Sequence, residues 1–253
     1  MLGGAAKTVA IAATGGALAR TGMAEEAGWR EGGSRVAGDD VERRYFYRAS
    51  ARALSGEMRS PFRWTIEPQA VATLAAGGGR SSIRRGRFDA VTGASFESAE
   101  SRVSGHRRSD GAYETVAEVV IEGLDLLGLV TADRIAAHLR GLYLPGLLAT
   151  SPVAAAVGEL ALDAPFTAVE TELLNLRVLE VPVSLPSRVP DVSDPLSAAG
   201  YRIPIPEVGD LYVGEYRTTP ASRRLTMLRL VLHGRLQGEL VGGVLETNGC
   251  SWP

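Results

Sequence analysis

Between Tyr113 and Glu122 the chain alternates. Ala117, Val119 and Ile121 fall on one side of an extended strand, and Glu114, Glu118 and Glu122 on the other with Val116 and Val120. A period of two suits a strand with one face on a core. It excludes an amphipathic helix over this stretch, because helical apolar positions recur every three to four residues. The alternation returns in "SRRLTMLRLVLHG", with Thr226, Leu228, Leu230 and Leu232 opposed to Leu225, Met227, Arg229, Val231 and His233. Thirty glycines and 13 prolines supply turns at a density that favours many short strands over long helices. With 45% apolar residues in 253, the chain can fill a core. The pattern predicts an all-β fold, mostly antiparallel and sandwich-like, with at most one short helix.

Local signals give the expected order of elements. Tyr45, Phe46 and Tyr47 read as a strand buried on both faces, or on one face with an interface on the other, and "FRWTIEPQAVATLA" as an edge or bent strand because of Pro68. "AAGGGRSSIRRGR" reads as a glycine-rich loop carrying Arg80, Arg84, Arg85 and Arg87. Ser109-Asp110-Gly111 is a hairpin signal, since Asp and Gly accept the positive φ of tight turns. "GLDLLG" from Gly123 to Gly128 reads as a turn.

Thr131–Leu139 has two readings. One is a helix capped by Thr131; the other is a strand with Thr131, Asp133, Ile135, Ala137 and Leu139 on one face. "ETELLNLRVLEVPVSL" reads as a strand with Leu174, Leu176 and Val178 opposed to Leu173, Leu179, Val181 and Val183; its start also fits helical spacing, which Val-Pro-Val would end. Residues 1–40 form a glycine-rich arm, flexible or strand-donating, and 41–253 a single β-rich domain. Within the arm, Lys7, the apolar run Thr8–Thr14 and Ala17-Leu18-Ala19 outline a weak secretory signal over residues 1–19. The competing reading of that stretch is a flexible or strand-forming start.

The ordered series "VIEGLDLLGLVTADRIAAHL" (120–139), "ETELLNLRVLEVPV" (170–183), "IPEVGDLYVGEY" (205–216), "RRLTMLRLVLHG" and "GELVGGVLETNGCSWP" resembles the choice-of-anchor P type and related uncharacterised bacterial proteins. The resemblance runs from about Phe62 to the C-terminus. It implies a secreted or surface-exposed β-sandwich without assigned catalytic residues, and it tips 130–139 towards a strand. The chain departs from that pattern in showing no C-terminal sorting motif.

Chemistry is harder to find. The net charge of -2, from 27 basic and 29 acidic residues, provides no global field for nucleic acid. Cys250 is the only cysteine, which excludes intramolecular disulfides and cysteine-based zinc sites. No nucleophile elbow, zinc-protease helix or phosphate loop is present. His106, His138 and His233 sit in separate elements without ligand spacing, and Glu122, Asp125 and Asp133 do not make a regular calcium loop. No cofactor or metal is called for, and no segment approaches the ~18 consecutive apolar residues of a membrane span.

Two groups remain as ligand-binding candidates. Tyr45, Tyr47 and Trp64, with Phe46, suggest a sugar-stacking platform, against which stands ordinary core packing. Arg80, Arg84, Arg85 and Arg87 suggest bidentate contacts to phosphate or an acidic glycan, against which stands a solvated loop. The leading expectation is a non-enzymatic structural protein, secreted or at the cell surface, that assembles with itself through strand edges and the N-terminal arm. The alternatives are a glycan-binding module and a hydrolase dependent on scattered carboxylates, with no catalytic residue assigned; Glu114, Glu118 and Glu122 read as a solvated face.

Overall fold

The computed structural model describes residues 8–11, 45–91, 93–143, 166–185, 200–219 and 222–251. Seventeen strands and no helix occur among them. In order they are β1 (Thr8–Ile11), β2 (Tyr45–Ser60), β3 (Trp64–Gln69), β4 (Ala72–Thr73), β5 (Gly79–Arg85), β6 (Phe88–Asp89), β7 (Ala94–Phe96), β8 (Ser98–Arg107) and β9 (Tyr113–Leu126). There follow β10 (Val130–Tyr143), β11 (Phe166–Leu174), β12 (Arg177–Val178), β13 (Val181–Pro182), β14 (Tyr201–Ile205), β15 (Gly209–Thr218), β16 (Arg223–His233) and β17 (Gln237–Ser251).

The strands make two antiparallel sheets packed face to face. The first runs β1-β11-β10-β9, with β8 and then β5 beyond β9 at one end, and with β7 and then β6 beyond β9 at its far end. The second runs β14-β15-β16-β17-β2-β3, with β4 also on β2. β17 and β2 lie across β8, β9 and β10. The core between them holds Val119, Ile121, Leu124, Ile135 and Leu139 from the first sheet and Leu54, Leu228, Leu230, Leu240 and Leu245 from the second, all essentially inaccessible to water. Because β2 and β17 come from opposite ends of the described chain and pair along nearly their whole length, one core joins both halves.

Alternation holds along most strands but changes phase once in each sheet. In β9 the buried positions are Ala117, Val119 and Ile121, then Leu124 and Leu126; opposite, in β10, they are Val130 and Ala132, then Ile135, Ala137 and Leu139. Gly123 lies at the break with φ of 62°, where a left-handed residue swings the next side chain to the other face. In the second sheet Gly243, with φ of 66°, sits at the corresponding break and faces Met227 and Ile135.

Five expectations need correction. In β16, Leu225 faces the core with Leu228, Leu230 and Leu232 and is not opposed to them, because the phase break beside Gly243 falls between them at Met227. Thr131–Leu139 is strand throughout, but Thr131 and Asp133 do not share the face of Ile135, because the break falls between them. The turn predicted over Gly123–Gly128 lies later, at Leu127–Leu129, where Asp125 accepts a hydrogen bond from the Gly128 amide at 2.6 Å. "ETELLNLRVLEVPVSL" is not one strand. β11 ends at Leu174, Asn175 has positive φ, and a tight turn at Leu179-Glu180 returns the chain as β13, leaving Leu179 and Val181 exposed. The arginine-rich stretch is largely not a loop, since Gly79–Arg85 pairs with β8 over seven residues. The Asp-Gly hairpin stands as expected. Gly111 has φ of 83° and Asp110 accepts from the Ala112 amide. So does Pro68, which lies in β3 at the sheet margin.

Candidate functional site

The edge of the first sheet beyond β10 is built from main chain. β11 pairs with β10 on one side and with β1 on the other, in the register Thr8↔Glu172 to Ile11↔Val169. Val169 is buried, while Glu172 reaches across to Arg134 at 3.1 Å. β1 therefore occupies the row of amide and carbonyl groups that β11 would otherwise present as an open edge. The rest of residues 1–40, including the remainder of the proposed signal 1–19, lies outside the described residues.

The predicted aromatic platform does not assemble. Tyr45 and Tyr47 stand at the start of β2, while Trp64 pairs with Met58, about 40 Å further along that strand at ~3.3 Å per residue. What the fold makes instead is a tyrosine cluster at one end of the sandwich. Tyr45 stacks on Tyr113 at 4.4 Å and on Tyr143 at 5.3 Å, and meets Tyr47 edge-on at 4.8 Å. The Arg107 guanidinium lies over the Tyr113 ring at 5.6 Å. Burial, then the neighbouring Tyr113, raises the Tyr47 phenol above its usual range, with Arg107 opposing. Tyr113 and Tyr143 carry no signal in sequence, because their meeting depends on the β9–β10 register that sets them directly opposite. Phe46 points away and is half exposed.

The four arginines also separate. Arg85 turns towards the second sheet, where it donates to the Gln69 side chain and covers the Phe88 ring at 5.0 Å. Arg87 pairs with Asp89 at 3.0 Å. Arg80 and Arg84 remain on the outer face of β5, opposite Ser104 and Glu100, without an ion pair among the described residues.

Glu114, Glu118 and Glu122 lie on the outer face as the alternation required, and cross-strand neighbours meet each of them. Glu114 pairs with Arg140 and His106, Glu118 with His138, and Glu122 with Arg134, which also holds Glu172. Asp133 accepts from Asn175 at 2.5 Å. Glu122, Asp125 and Asp133 are thus each engaged elsewhere, and no cluster of three or more metal-ligating groups occurs among the described residues.

The outer face of the second sheet has its own network. Glu215 holds Arg229 through two bonds of 2.5 and 2.6 Å, and Arg229 covers the Tyr212 ring at 4.2 Å. Asp210 takes both Arg202 bonds, at 2.9 and 3.0 Å, and lies 3.3 Å from His233. The Arg202 hydrogen bonds hold the Asp210 carboxyl below its ordinary range. A recess of about 380 Å³ between β2 and the β3–β4 margin contains Arg52, whose guanidinium is pushed below its usual value by burial and then by Arg224.

Compared with known proteins, residues 45–146 match a family described as a domain of unknown function (DUF8256). The match spans β2 to β10, about two fifths of the chain, and it assigns no chemistry. No curated protein and no solved structure matches the chain.

Proposed function

We propose that this protein is a non-enzymatic structural subunit that assembles by strand exchange, which takes the strand-forming reading of residues 1–19 over the secretory one. In this reading Thr8–Ile11 of one copy docks on β11 of the next. The observation that supports it is the antiparallel pairing of β1 with β11. That contact is a main-chain ladder, and every copy offers the same β11 edge. Exchange of an identical element between protomers keeps each bond and costs little. Residues 12–44 join β1 to β2 and have a covalent reach of about 110 Å when extended, enough to cross to a neighbouring molecule. If the exchange does not close on itself, it propagates as a chain of subunits.

Light scattering after size exclusion, with electron microscopy of the heaviest fraction, tests this. The full chain should give species well above its 26.7 kDa mass, and removal of residues 1–40 should give a folded monomer. A clean monomer at high concentration, or assembly unchanged by the deletion, overturns the proposal.

A further inference from the structure

We infer that the outer face of β5 and β8 is a binding site for an acidic polysaccharide. An open recess of about 250 Å³ lies there. Arg80, Ser82, Arg102, Ser104, Val116 and Glu118 line it. Pairing explains the set: Ser82 stands opposite Arg102 and Arg80 opposite Ser104, and on the next strand Val116 and Glu118 stand opposite Ser104 and Arg102. Directly opposed residues of an antiparallel pair share a face, so all six belong to one surface.

Charge on this surface is uneven. Towards β10 and β11 the arginines are matched by carboxylates, as Arg134 and Arg140 show. Arg102 is held by Glu100 at 2.7 Å. Arg80 and Arg84 are exposed and make no ion pair among the described residues, so positive charge is in excess at the β5 margin. The recess thus grades from the Arg80 guanidinium at β5, with Arg84 beyond its rim, through the hydroxyls of Ser82 and Ser104, to the apolar Val116 and the acceptor Glu118 at β9.

A saccharide unit with an acidic group on one side and hydroxyls on the other matches that gradient. Guanidinium takes a carboxylate or sulfate by paired bonds. Arg80 and Arg84 are about 13 Å apart along the strand, which suits repeated acidic groups on a chain rather than one small anion. Nucleic acid is a poorer match, because no aromatic ring lines the recess for a base to stack on.

The test is titration of the full chain with heparin, with a carboxylated polysaccharide, with single-stranded DNA and with inorganic phosphate. Variants are Arg80→Gln/Arg84→Gln, Val116→Trp to fill the recess without changing charge, and Arg63→Gln as a distant control. Circular dichroism shows that each variant is folded. Binding of at least one polysaccharide should weaken about tenfold or more in the double variant, fall similarly in Val116→Trp, and stay unchanged in Arg63→Gln. The inference is overturned if neither polysaccharide binds, if DNA binds as tightly as the better polysaccharide, if phosphate alone saturates the site, or if Val116→Trp leaves binding intact. None of these readings depends on assembly through the N-terminal strand.

Discussion

At the scale of single residues, Asp210 and Gly243 show how local geometry becomes stability. Arg202 and His233 both face the Asp210 carboxylate, and its folded-state pKa is lowered, chiefly by the Arg202 hydrogen bonds. A carboxyl depressed on folding stabilises the native state above its unfolded value of about 3.9, and that contribution is lost as pH falls through the folded value. Asp210→Asn should therefore have a lower urea midpoint than the parent at pH 5, with the gap closing towards pH 2. A gap that is constant with pH would show that the loss is packing and not charge. Gly243 gives a different test. A side chain there meets both a left-handed φ of 66° and the Met227 Cβ at 3.0 Å, whereas at Gly111 the φ of 83° opens onto free space. Gly111→Ala should cost about 1–2 kcal/mol from backbone strain alone. Gly243→Ala should cost roughly 1–3 kcal/mol more, because the second sheet must also yield around Met227. Denaturant midpoints of the two variants check the difference.

At the scale of elements, burial separates strands that look alike in sequence. β10 is paired on both sides, by β9 and β11, and its Ile135 and Leu139 are sealed in the core. β5 is paired by β8 alone, and its side chains are nearly all exposed. Hydrogen exchange followed by mass spectrometry should find the β10 amides opening only with global unfolding and those of β5 exchanging through local opening. Equal protection of the two would contradict this ranking. The same contrast explains what was legible beforehand. β9 up to Ile121 and β16 from Leu228 onwards are legible because alternation records one buried face, and the Asp-Gly hairpin because its residues suit positive φ. β5 was hidden because an edge strand wet on both faces has no apolar period, and its glycines and arginines look like a loop. The phase of β10 is not legible at Thr131 and Asp133, because a glycine on the neighbouring strand, not any residue of β10, marks the break. The tyrosine cluster joins β2, β9 and β10, and nothing local announces a meeting set by three-strand register.

At the scale of the molecule, the question is whether any part of the chain folds without the rest. The stretch 45–146 contains β2 to β10, and so both β2 of the second sheet and the inner faces of β8, β9 and β10. In the whole chain β17 is the partner of β2 along nearly its full length, and β16 and β17 bring Leu225, Leu228, Leu230, Leu240 and Leu245 into the core. At about 2 kcal/mol for each fully buried leucine, those five side chains contribute roughly 10 kcal/mol. Typical net stability of a whole domain is of the same order, about 5–15 kcal/mol. A fragment of residues 45–146 would lose that burial, expose the faces it covered, and leave the β2 ladder open to other strands. It should be aggregated or without fixed tertiary structure, as judged by light scattering and proton NMR dispersion. The full chain should unfold in one step, with circular dichroism and tryptophan fluorescence giving coincident curves. A soluble fragment with a dispersed spectrum and a cooperative melt would show instead that β2 to β10 carry their own core, and that the C-terminal strands are an addition to it.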